Sequence, residues 1–203
     1  MDALRYGLSY VNEALTDLGQ TDLLTGLDTS ASDPRERRCA IAYEKARLAV
    51  LTQVEWNFAR ATAPAASYPT EEHERGGFGT PLPGDCLRLL SATDAYGEEP
   101  LREVIGDTIF SAVPLDRLEY LRDIPDPRRW GSKAQCLLVV ALAAAYAKIV
   151  KGSFNELQMR EQLYTKALKE ARIENARENR RPKQHVGGNY YVDVMRGTAR
   201  RKW

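Results

Sequence analysis

Pro81-Leu82-Pro83-Gly84-Asp85-Cys86-Leu87-Arg88-Leu89-Leu90 reads as a stiffened approach running into a short strand. The two prolines push the residues before them toward extended geometry, Gly84-Asp85 supplies turn chemistry, and Cys86 to Leu90 is an apolar-rich run of strand length. Helical patterns lie on both sides of this phrase. The chain is therefore expected to be α+β: mainly a helical bundle of about four helices, with a small antiparallel β domain inserted and an extended C-terminal arm. The expected boundaries are 1–66 and 126–178 for the helical domain, 67–125 for a loop plus the β domain, and 179–203 for the arm.

Toward the N-terminus, Leu4, Leu8, Val11, Leu15 and Leu18 recur at helical spacing and Gly19 follows as a left-handed cap. Asp33-Pro34-Arg35-Glu36 then offers a cap residue, a proline suited to a first helical position and a glutamate able to reach back. A long helix is predicted from there to about Ala61. It carries apolar groups on two sides, with Ile41, Leu48, Leu51 and Phe58 on one and Tyr43, Val50 and Val54 nearly opposite. Such a helix is central to a bundle or shared with a neighbouring subunit. Between Pro64 and Thr80 there is no period and much Gly, Pro and charge, which predicts a mobile loop.

Toward the C-terminus the pattern shortens into strands over Cys86 to Ser91, Leu101 to Ile105, Thr108 to Ser111 and Arg117 to Arg122. Gly106-Asp107 makes a two-residue hairpin turn. Two capping boxes, Ser132 to Gln135 and Ser153 to Glu156, flank Gly152 and spell a helix hairpin. Its first arm, through Leu137 to Tyr146, is apolar nearly all round and should be the buried centre. Its second should present only Leu157, Tyr164, Leu168 and Ala171 on one face.

A chain of 203 residues can bury one substantial core with room for a smaller appended domain. The longest apolar run, Cys136 to Ala147, falls short of the ~20 residues a bilayer requires, and the first residues lack a secretory pattern, so an intracellular origin is expected. Cys39, Cys86 and Cys136 are widely spaced and are read as small core residues. Residues 179–203 carry seven basic side chains against Asp193 alone, a net +6, which leaves −5 for residues 1–178. A basic arm on an acidic body points to an acidic partner surface, either protein or nucleic acid.

No nucleophile elbow, phosphate loop, zinc helix or dinucleotide fingerprint is present. Glu71-Glu72-His73-Glu74 is read as solvated loop charge rather than a ligand set. Asp85 beside Cys86 is read as a buried structural thiol rather than an acid–nucleophile pair. Trp56 and Phe58 are read as core or subunit packing rather than a stacking platform. No catalytic, cofactor or metal residue is assigned, and the chain is expected not to be an enzyme.

In order, the N-terminal helix, Trp56-Asn57-Phe58-Ala59, the Pro83-to-Leu90 phrase, a small sheet and the Leu137-to-Tyr146 helix with its charged companion resemble the head-to-tail adaptor family of short-tailed bacteriophages, called tail tubular protein A or gatekeeper. The resemblance spans most of residues 3–178. The segment from Ser67 to Thr80 and the tail after Arg180 depart from the family's pattern.

Membership implies a virion structural protein made in the host cytoplasm. It would form a dodecameric ring under the portal protein, with a nozzle or other tail protein on the far side. DNA would pass through the lumen without specific binding, and no membrane or cofactor is involved. On that footing the arm residues Arg180, Arg181, Lys183, Tyr190, Tyr191, Val192, Arg196, Arg200, Arg201 and Trp203 are expected to dock on the portal or a neighbouring subunit. Tyr43, Val50, Val54, Trp56 and Phe58 are expected at subunit contacts. The rival reading is a DNA-binding or packaging accessory protein whose tail grips phosphate.

Overall fold

The computed structural model describes residues 2–70, 77–150 and 154–178. The described residues form a mixed α+β structure with four α-helices and two antiparallel sheets. Helix α1 spans Asp2–Asp17 and ends in Gly19 at φ +71°, the left-handed cap its sequence offers. Helix α2 spans Pro34–Gln53. Asp33 caps it, its carboxylate accepting from Arg35 N at 2.9 Å, and Pro34 occupies the first turn. Helices α3 (Ser132–Val150) and α4 (Phe154–Glu178) follow the sheets, and α3 packs against α1, α2 and α4.

The long second helix stops at Gln53, well short of Ala61. Trp56 turns back so that its indole Nε1 donates to Val50 O at 2.8 Å, taking a carbonyl that a continuing helix would have used. From α4, Asn175 Nδ2 donates to Glu55 O at 2.8 Å while its Oδ1 accepts from Asn57 N at 3.0 Å. These bonds hold the backbone in an extended path, and after one 3-10 turn (Asn57–Ala59) it enters β1, Arg60–Pro64.

The stretch expected to be a mobile loop holds two strands, β2 (Tyr68–Thr70) and β3 (Gly77–Pro81). Their glycines hide the strand pattern and serve close packing. A Cβ on Gly79 would lie 2.8 Å from Cζ of Tyr68, its cross-strand partner, whose ring covers it. Residues 71–76 lie outside the described set.

Instead of one small sheet there are two. Strands β1, β7 (Arg117–Arg122) and β4 (Cys86–Thr93) form an inner sheet in the order β1-β7-β4. Strands β2, β3, β6 (Thr108–Ser111) and β5 (Arg102–Ile105) form an outer one in the order β2-β3-β6-β5. The hairpin turn at Gly106-Asp107 is as expected, with Gly106 at φ +59°.

The phrase from Pro83 to Leu90 turns at Gly84-Asp85, where Cys86 N donates to Pro83 O at 2.9 Å, and then lies between two cores. Leu87 and Leu90 of β4 pack toward the helices, while Leu89 and Ala92 join Ile109, Leu115 and Leu118 in a second cluster between the sheets. A strand covered on both sides needs apolar groups on both faces, which is why the phrase does not alternate.

Candidate functional site

Two constructions join the helical and β halves. The first is an aromatic run in which Phe58 stacks between Trp56 (centroids 5.5 Å apart, planes at 27°) and Trp130 (6.1 Å, 19°). Trp130 Nε1 donates to Ile124 O at 3.1 Å, so both indoles are anchored at their polar ends. The crevice beside this run holds only about 60 Å³ and is lined in part by Ala171 and Asn175. The second construction is a two-pronged ion pair from Arg47 of α2 to Asp123, just after β7; Arg47 is 4% exposed. Arg88 of β4 adds a bond to Glu55 at 2.9 Å. These contacts fix the β half onto the end of α2.

Tyr43, Val50, Val54 and Trp56 are between 0% and 6% exposed within this single chain, and Phe58 packs against the same core. The first four therefore spend their side chains on this chain's own core, whereas Phe58 is half-buried and keeps an open edge. Trp56 and Phe58 also sit beyond the long helix rather than on it. Of the apolar group expected opposite Tyr43, Ile41 is exposed and Leu48 half-buried, but Leu51 is fully buried with Tyr43 and Val50. The division into two apolar faces therefore holds only in part, because Leu51 joins the covered side.

A different strip of α2 lies open beside α3. Ala42, Ala46 and Ala49 face Ala141, Ala144 and Ala145 across an apolar groove of about 340 Å³, closed at one side by Tyr164 of α4. Helix α3 is thus buried along Ala134, Leu137, Leu138, Leu142 and Tyr146 but not all round, since Cys136 is exposed and Val140 only half-buried. Helix α4 packs through Leu157, Tyr164, Leu168 and Ala171 as expected, yet it also shows Phe154, Met159, Leu163 and Ile173 to solvent. In the connection from β4 to β5 Tyr96 and Leu101 are each 92% exposed, and on β5 Val104 and Ile105 stay about half open. None of these three surfaces was singled out from the sequence. Exposure of an apolar residue depends on what the fold places over it, and periodicity does not carry that.

Asp85 and Cys86 do not make a reactive pair. Asp85 Oδ1 accepts from the Tyr120 hydroxyl at 3.1 Å, and burial, followed by the Asp85 charge, pushes the Cys86 thiol above its ordinary range. An activated thiol needs the opposite shift. Of the three cysteines only Cys39 is a core residue; Cys86 is half-buried and Cys136 exposed.

Among the described residues no three His, Cys, Asp or Glu side chains gather to hold a metal, and no helix is long and apolar enough to cross a membrane. The Glu71-to-Glu74 cluster and the arm residues Arg180, Arg181, Lys183, Tyr190, Tyr191, Val192, Arg196, Arg200, Arg201 and Trp203 lie outside the described residues.

No protein-family model matches the chain, and no curated protein is similar to it.

Proposed function

We propose that this chain is a structural head-to-tail connector of a tailed bacteriophage, assembling as a ring beneath the portal and conducting DNA from capsid to tail. What supports the reading is the pair of uncovered apolar surfaces: the alanine groove between α2 and α3, and the outer side of α4 with Phe154, Met159 and Leu163. A contact between two unlike patches is heterologous, and when its rotation closes it generates a ring. The sequence resemblance, the α+β make-up and the raised Cys86 thiol agree with a part that packs rather than reacts.

Negative-stain microscopy of the protein alone and with a portal tests this. Rings, alone or on the portal, are the expected result, and Ala144→Glu, which places a charge in the groove, should leave folded monomers. A protein that stays monomeric under both conditions overturns the reading.

A second reading, a DNA-binding accessory protein, is favoured by the net +6 of residues 179–203. It requires DNA affinity that falls steeply with salt and is lost when the arm's arginines are replaced.

A further inference from the structure

We propose that the open edge of β5 is the seat of the chain's own C-terminal arm, with residues 189–195 adding a fifth strand to the outer sheet. Among the described residues β5 pairs with β6 alone and ends the sheet. The two-residue turn at Gly106-Asp107 makes Ile105 and Thr108 a hydrogen-bonded pair, so the backbone N–H and C=O groups of Val104 and Arg102 point away from β6, toward the empty side. An edge of this kind is a template for another extended segment.

The side chains say which face the incoming strand must continue. Val104 lies opposite Ile109, which is fully buried between the sheets, and opposed residues share a face. Val104 is nonetheless 47% exposed, since among the described residues no strand pairs on its far side. In Asn189-Tyr190-Tyr191-Val192-Asp193-Val194-Met195, residues Tyr190, Val192 and Val194 fall on one side of an extended chain. Set beside β5, that side extends the inter-sheet core over Val104. Leu101 and Tyr96, both almost fully exposed, border the same edge in sequence.

Charge agrees. Residues 94–107 hold Asp94, Glu98, Glu99, Glu103 and Asp107 against Arg102, a net −4, whereas residues 179–203 are net +6. Ten residues separate Glu178, the end of α4, from Asn189, and a span of that length reaches up to ~35 Å when extended.

Amide hydrogen exchange on the full-length protein tests the pairing. Val104, Arg102 and alternate amides within 190–194 should exchange on the order of 100-fold more slowly than unprotected amides. Val192→Pro, which lies in the arm and leaves the described fold intact, should release Val104 and Arg102. Val104→Pro removes one outward N–H without touching the β6 ladder and should release residues 190–194. Protection that rises with protein concentration assigns the arm to a neighbouring copy, and protection independent of concentration assigns it to its own chain; either supports the strand. Arm amides that exchange freely, or that stay protected in Val104→Pro, overturn it. Because this readout needs no ring, its failure is separable from that of the connector reading.

Discussion

In the helical half Tyr43, Leu51, Leu138, Leu142 and Tyr146 are wholly out of water, whereas in the outer sheet Ile109 is the only large apolar side chain so placed among the described residues, and Val104 and Ile105 keep about half their surface. The helices close their own ends. Arg160 of α4 donates to Asp17 O at 2.8 Å at the foot of α1, and Asn175 holds the chain leaving α2. Among the described residues the outer sheet has no such closure at β5. Burial supplied from within one chain builds stability, and burial left unfinished marks where a partner is received.

The sharpest way to break this contrast is at the aromatic run. Trp56→Ala removes a large core side chain and the bond to Val50 O, and should cost about 3–5 kcal/mol in urea unfolding. Ile109→Ala should cost about 2–4 kcal/mol, but locally: amides of β3, β5 and β6 should exchange faster while those of α3 hold. Equal acceleration in α3 would show that the two regions unfold as one. Asn175→Ala leaves Glu55 O and Asn57 N without their partner and should lower stability by about 1–3 kcal/mol, again by urea unfolding.

The smallest effect has the opposite sign. The Tyr43 hydroxyl is buried with no hydrogen-bond partner among the described residues, so Tyr43→Phe should raise stability by about 1 kcal/mol. The same site sets an alkaline limit. Burial raises the Tyr43 and Tyr146 phenols above their usual range, so above ~pH 10 the unfolded chain sheds protons that the folded chain retains. Stability is therefore full below that pH and falls as pH rises through it. Melting temperature followed from pH 8 to 11 should decline less steeply in Tyr43→Phe than in the parent.

The elements that local chemistry defines were legible in the sequence. Asp33-Pro34, Gly19 and Gly106-Asp107 mark their own turns and caps, and the strands at 108–111 and 117–122 follow from short apolar runs bounded by breakers. The end of α2 was not legible, because the residue that stops it, Asn175, is 118 positions from Asn57. Strands β2 and β3 were not legible because glycine at 77 and 79 erases the alternation while making room for Ser111 O and the Tyr68 ring. At the surfaces, the sequence showed that α2 carries apolar groups on two sides; only the packing of α1 and α3 decides that Tyr43 goes inside and Ile41 outside.

Arg160, Asn175 and the Tyr164 hydroxyl on Gln53 put the fastening of both early helices in the final one. Ribosomal synthesis delivers α1 and α2 long before α4, so the nascent chain carries two unfastened helix ends until residue 175 clears the exit tunnel. A truncation that spares every element but α4 is thus expected to behave as a client of chaperones rather than as a shortened version of the protein.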